Sequence, residues 1–226
     1  MHHPGWQSTT LQTMINGMAG VGSIEPYGSI LRPDELDNWS DLDVRIELTE
    51  PIDVDILGLG EIWAWQDVRS GVGQTLRLVF CDGRRIDLSV VDSVIMVPEP
   101  PADNQIRFDA SLAASRYGRG NRLIGLHLTL GILREALVFS MLLRDRAEGT
   151  DHHRLGSEFE ERAEQVAKII SSTQIGRRPT VVQRACELYG RWRTELESDY
   201  TPDWSGLTAV IDLGTAGTLK ARESSS

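Results

Sequence analysis

Tyr27-Gly28-Ser29, a gap of eleven residues, and Asp41-Leu42-Asp43-Val44-Arg45-Ile46-Glu47-Leu48 form the stretch whose reading decides the fold. From Asp41 the chain alternates. Leu42, Val44, Ile46 and Leu48 take one face of a strand, and Asp41, Asp43, Arg45 and Glu47 take the other. Ile24–Tyr27 reads as a short strand leading into the Gly28-Ser29 turn. Residues 30–40, with Pro33, Asp34, Asp37 and Asn38, have loop composition. Two carboxylates two positions apart on a strand point to the same side. Packed together they repel, so one protonates unless a cation neutralises both. Hard oxygen ligands of this kind suit Mg²⁺, which usually also takes substrate phosphate oxygens. A Gly-Ser turn offers backbone N–H groups and a hydroxyl, and glycine lets a phosphate come close.

Working outward, Leu76–Cys81 and Arg85–Val91 are β-rich runs joined by Asp82-Gly83, a hairpin-type turn. Asp87, in Arg85-Ile86-Asp87-Leu88-Ser89, lies between apolar residues on that strand, as Asp41 and Asp43 do on theirs. It is the natural third carboxylate for a two-metal site. Residues 8–20 read as a first helix carrying Leu11, Met14, Ile15 and Met18 on one side. The apolar run 53–66 reads as helical around Ile56, Leu59, Ile62 and Trp63.

Pro98, Pro100 and Pro101 then break the chain, and four helices are expected after them, at 106–118, 121–147, 157–172 and 180–198. The last carries Val181, Ala185, Leu188, Trp192 and Leu196 as an amphipathic stripe. The fold class is therefore α+β, with a mixed-sheet domain at 1–105 followed by a helical bundle at 106–205. A tail at 206–226, rich in Gly, Thr and Ser from about Gly214, is expected to be mobile.

The 226 residues carry 23 basic and 33 acidic side chains, a net charge of −10. That balance argues against a general nucleic-acid or anionic-membrane binder and suits a cationic partner. The excess is local: residues 1–109 hold 18 acids and 7 bases, while residues 110–226 hold 15 acids and 16 bases. Cys81 and Cys186 show no metal-ligand spacing and read as reduced thiols. No N-terminal targeting signal is visible. Arg134 and Glu135 interrupt the most apolar stretch, Leu123–Leu143, so a buried helix is expected rather than a bilayer span. The expected setting is cytoplasmic, with no membrane and no stable nucleic acid as partner. A homodimer is left open, because the apolar last helix packs either within the chain or against a second copy.

Gly28-Ser29, Asp41-Leu42-Asp43 and Asp87 together resemble the nucleotidyltransferase superfamily that shares the DNA polymerase β palm. More narrowly, Gln66 and Leu78-Val79-Phe80-Cys81-Asp82-Gly83-Arg84-Arg85-Ile86-Asp87-Leu88 resemble the aminoglycoside 6-adenylyltransferase (streptomycin adenylyltransferase) group. The resemblance implies a nucleotidyltransferase catalytic domain at 1–105 and a helical substrate-binding domain at 106–205. It implies a Mg²⁺-dependent enzyme that moves AMP from ATP, the donor substrate, to a hydroxyl of a small cationic, aminoglycoside-like acceptor. Asp41, Asp43 and Asp87 would hold metal, and pyrophosphate would leave. Gly28, Ser29, Arg32, Arg116 and Arg119 are the expected nucleotide-binding residues. That group often has Arg directly after Gly-Ser, whereas this chain has Ile30-Leu31-Arg32.

Glu135, embedded in the apolar stretch, is the expected general base, because burial would raise its pKa. An ion pair with a neighbouring Arg is the plainer role, and Asp87 could itself serve as base. His127 reads as a core or interface histidine, His152-His153 as a polar connector, and Trp63 and Trp65 as core packing. Competing functions keep the fold and change the acceptor to a lincosamide, a metabolite or a protein. A further alternative is a non-catalytic, antitoxin-like nucleotide-binding regulator.

Overall fold

The computed structural model describes residues 5–18, 22–32, 34–71, 73–151, 158–171 and 179–223. The class is α+β, with a mixed five-stranded sheet in the N-terminal part and a mostly helical C-terminal part. The chain forms two compact units. One comprises 1–108 together with 209–226, and the other comprises 109–208.

In the first unit, helix α1 (Trp6–Gly17) precedes strand β1 (Gly22–Tyr27), a 3-10 turn (Gly28–Leu31) and strand β2 (Leu42–Leu48). The sheet continues with β4 (Ile62–Ser70), β5 (Gly73–Phe80) and β6 (Arg85–Val91). Two short strands, β3 (Ile52–Asp53) and β7 (Ile95–Met96), pair separately. The sheet order is β1-β2-β6-β5-β4, and only the β2–β6 pair is parallel. A parallel neighbour cannot follow through a tight hairpin. Here the β4–β5 hairpin fills the connection, and β6 enters between β2 and β5. The alternation read from Asp41–Leu48 holds: Leu42, Val44, Ile46 and Leu48 are buried, with Leu76, Leu78, Phe80, Ile86, Leu88 and Val90 from the neighbouring strands. Met14 and Met18 of the first helical segment join this core.

The expected helix over 53–66 is not formed. Val54–Leu57 makes a 3-10 turn, and Ile62 onward is the edge strand β4. The reason is backbone conformation. Gly58 and Gly60 both sit at positive φ, +63° and +98°, and stop any helix after one turn. Leu57, Leu59, Trp63 and Trp65 are buried all the same. Their apolar character reported burial, and the spacing merely resembled a helical period.

Residues 206–223, expected as part of a mobile tail, are helical. Ser205–Glu223 is a helix, α6, and from Ala209 it belongs to the first unit. Its small residues make this contact close. Gly214 lies against the Trp39 ring, and the Asn38 side chain donates to the Leu213 carbonyl at 3.1 Å. The β5–β6 turn meets the same helix at Gly83, which has φ +87° and backs onto the Ala209 carbonyl.

The second unit contains the remainder of α2 (Asn104–Gly118), then α3 (Arg122–Glu148), α4 (Glu161–Ser171) and α5 (Thr180–Leu196). All four expected helices are present. The expected stripe on α5 is buried at Val181, Ala185, Leu188 and Trp192. Helices α3 and α5 pack together, with the Phe139 ring edge-on to Tyr189 at 5.4 Å between centroids. Among the described residues α3 is the one helix long and apolar enough to cross a membrane. It is not the wholly buried helix expected, because Leu123, Ile124, Leu130, Met141 and Leu142 remain exposed.

Gly83→Ala tests the docking of α6. A side chain there meets both a left-handed backbone and the Ala209 carbonyl. The expected loss is about 2 kcal/mol or more in urea unfolding. An unchanged midpoint would contradict the close approach.

Candidate active site

The five strands align one residue each into a single row. Tyr27 lies opposite Asp43, Asp43 opposite Asp87, Asp87 opposite Arg77, and Arg77 opposite Gln66. Directly opposed residues on paired strands share a face, and successive residues alternate. The row therefore occupies the face away from Leu42, Val44, Leu76, Leu78, Ile86 and Leu88. Polar groups from all five strands meet there, with two carboxylates at the centre on the parallel pair.

The central pair is electrostatically uncomfortable. Burial raises the Asp43 carboxyl above its ordinary range, and the Asp87 charge raises it further. A hydrogen bond from the Ser29 backbone N–H and the positive charge of Arg77 oppose that rise. Arg77 Nε lies 3.4 Å from an Asp87 oxygen, and Arg77 also donates to Gln66 Oε1 at 3.2 Å. Tyr27 reports the same field from the other side. Its phenol is pushed up by burial and by the Asp43 and Asp87 charges, and is drawn back by Arg77.

The Gly28-Ser29 turn sits directly on this pair. Gly28 has φ +71°, and a methyl group built on it would overlap the Asp43 carboxylate. Glycine is thus needed twice, for the left-handed backbone and for the absence of a side chain. The turn's first amide, on Ser29, is used on Asp43.

Asp41 lies one alternation before Asp43 but has a different partner. It pairs with Arg85, which is buried and also donates to the Trp39 carbonyl at 3.0 Å. The expected trio of Asp41, Asp43 and Asp87 is therefore not drawn together. Among the described residues, no three His, Cys, Asp or Glu side chains form a ready metal-ligand group. The physical reason is Arg85, whose buried guanidinium needs a counter-charge and takes Asp41. Asp43 and Asp87 remain as two hard-oxygen donors whose mutual repulsion a divalent cation would relieve. That donor chemistry fits Mg²⁺.

The other expected residues fall as follows. Arg32 follows the turn and pairs with Glu35 at 2.7 Å on the surface. Arg116, Arg119 and Glu135 belong to the second unit. Arg116 is half-buried near the end of α2, and Arg119 is exposed just beyond it. Glu135 accepts from Arg134 at 2.7 Å, and 38% of its side chain is exposed. The burial on which its role as base rested is absent, and the ion-pair role is the one observed. His127 is exposed rather than in a core, Trp63 and Trp65 are buried, and His152-His153 lies outside the described residues.

No family model matches the chain, and no curated protein matches it. Solved structures include a similar one. It is the crystal structure of an aminoglycoside 6-adenyltransferase from Bacillus subtilis, at 12% identity over 89% of this chain and 96% of that chain, with a TM-score of 0.32. A likeness that remote leaves the chemistry of the site to its own residues.

Tyr27, Arg77 and Gln66 were not singled out as site residues by sequence reasoning. Their signal was parity: each lies out of phase with the apolar residues of its strand. That signal becomes decisive only when the register is known.

Two neighbouring substitutions should act in opposite directions. The Asp43 carboxyl is raised in the folded chain. Its contribution to stability is therefore full below the ordinary value of 3.8 and is lost as pH rises through the raised folded value. Asp43→Asn should melt above the native chain at neutral pH in metal-free buffer, and the gap should close on acidification. Asp41→Asn removes the partner of a buried guanidinium and should cost about 2 kcal/mol, discounted because Asp41 is partly exposed. Thermal and urea unfolding of both variants check this.

Proposed function

We propose that the first unit transfers a nucleotidyl group, AMP from ATP, to a hydroxyl of a small cationic acceptor of the aminoglycoside type. The observation that carries this reading is the half-buried Asp43–Asp87 pair with the Gly28-Ser29 turn against it. Paired carboxylates at the centre of a sheet, with Asp43 raised by burial and by the Asp87 charge, have little structural value of their own. They suit a site that waits for a cation and a polyphosphate.

Asp43 and Asp87 would hold Mg²⁺. When bound, the ion would offset the negative charge of the triphosphate and of the two carboxylates. The chain's own residues supply the rest. The Gly28-Ser29 turn gives the phosphates a surface free of side chains, and the Ser29 hydroxyl adds a donor. Arg77 keeps a positive charge beside Asp87. With Glu135 no longer favoured, Asp87 is the group we assign to accept the acceptor's proton. The acceptor oxygen attacks the α-phosphorus, a new P–O bond forms, and the bond to the β-phosphate oxygen breaks as pyrophosphate leaves. Arg32, Arg116 and Arg119 carry none of the weight of this reading. The acid excess in residues 1–109 supports a cationic acceptor.

Asp43→Asn should lower pyrophosphate release by about 100-fold or more, because a direct ligand matters at least as much as an outer-shell one. Binding can be read separately from turnover. Mg²⁺ with a non-hydrolysable ATP analogue should raise the melting temperature of the native chain and leave that of Asp43→Asn nearly unmoved. Equal shifts in both would remove the metal assignment.

The acceptor has its own test. Expression in a susceptible bacterium should protect against at least one of streptomycin, spectinomycin and kanamycin. Protection against lincomycin alone, or none despite nucleotide binding, would redirect the reading to a lincosamide, metabolite or protein acceptor.

A further inference from the structure

Arg77 stands between two partners of different kinds. Its Nη1 donates to Gln66 Oε1 at 3.2 Å on one side, and on the other its Nε lies 3.4 Å from Asp87 Oδ2. That Nε is buried and makes no hydrogen bond among the described residues. The contact with Asp87 is therefore one of charge. A guanidinium and a carboxylate left to themselves prefer a fork of two parallel N–H···O bonds. Here Nη1 is turned toward β4 instead. Gln66 is well placed to hold it there. β4 is an edge strand, whose outer backbone groups have no further strand to pair with. At Trp65, one residue before Gln66, the Asn104 carboxamide takes the place of that strand. The Trp65 N–H donates to Asn104 Oδ1 at 3.0 Å, and Asn104 Nδ2 donates to the Trp65 carbonyl at 2.7 Å. The edge is thus pinned beside the point from which Gln66 reaches across to Arg77.

We infer that Gln66 is a positioning residue for the metal site: it draws the Arg77 guanidinium toward β4, so that Arg77 lends Asp87 a positive charge without covering it. The inference rests on the assignment of Asp43 and Asp87 as metal ligands. The chemistry is a competition for the oxygens of Asp87. A bidentate guanidinium takes both, whereas a divalent cation needs at least one. Asp43 and Asp87 carry two negative charges when ionised, and Arg77 returns one positive charge, so the row keeps a net negative charge to offer. Without the Gln66 acceptor the same guanidinium gains by closing on Asp87, and an arriving cation must displace it. Gln66 acts through Arg77 and not on the metal itself.

Mn²⁺ titration of the full chain, followed by loss of the free-ion electron paramagnetic resonance signal, tests this without turnover. The native chain should bind Mn²⁺, and Asp43→Asn should bind it poorly. Gln66→Leu should weaken binding about tenfold or more, as outer-shell substitutions at metal sites do. Arg77→Met should tighten it. The deciding variant is the double, Gln66→Leu with Arg77→Met. It should bind as tightly as Arg77→Met alone, because the effect of Gln66 passes through Arg77. Urea unfolding checks that each variant is folded, and Gln66→Met serves the same test if Gln66→Leu is not. Native-like affinity in folded Gln66→Leu would overturn the inference and leave the metal assignment standing. So would equal weakening by Gln66→Leu with and without Arg77, which is the mark of a general loosening of β4. Equal binding by the native chain and Asp43→Asn, or none by either, would remove the metal assignment and the inference with it.

Discussion

The repulsion between Asp43 and Asp87 is the constraint around which the first unit is arranged. Parallel pairing of β2 with β6 sets the two carboxylates directly opposite each other, and partial burial denies them the screening of open water. Each neighbour can be understood as a response to that charge. The Ser29 amide donates to Asp43, Arg77 stands beside Asp87, and Gly28 gives up a side chain so that its backbone can approach. Tyr27 closes the row with a phenol kept in its neutral form.

The same logic separates Asp41 from the pair it was expected to complete. Arg85 is buried two residues before Asp87, on the same face of β6, and cannot be left without a counter-charge, since an unpaired interior guanidinium costs several kcal/mol. Asp41 and the Trp39 carbonyl hold it. Two aspartates two residues apart thus do different work. One anchors a structural cation, and the other is left poised beside a second carboxylate. Stability and reactivity diverge between them for that reason.

Several features were legible in the residue order because they rest on local periodicity. The strand from Asp41, the Asp82-Gly83 hairpin and the α5 stripe depend on alternation or on 3.6-residue spacing, and all three are found. Other readings failed where a non-local partner intervened. Residues 53–66 carry apolar residues at helical intervals, but Gly58 and Gly60 take left-handed conformations and β5 offers an edge to pair with. Glu135 looked buried because its neighbours are apolar, yet 38% of its side chain is exposed and Arg134 holds it in an ion pair. The last segment looked mobile from its Gly, Thr and Ser content. Those small residues are what let α6 lie against Trp39 and Gly83.

The sequence by itself determined that Asp41 and Asp43 share a face, that a glycine turn precedes them, and that strands yield to helices after the proline cluster. Those are consequences of alternation, turn chemistry and ring closure within a few residues of chain. Only the tertiary structure decided which carboxylate Asp43 would meet, that Asp41 would be taken by Arg85, and that Tyr27, Arg77 and Gln66 would complete the row. Those outcomes depend on sheet order and register. They are set by the packing of strands distant in the chain, which no local pattern encodes.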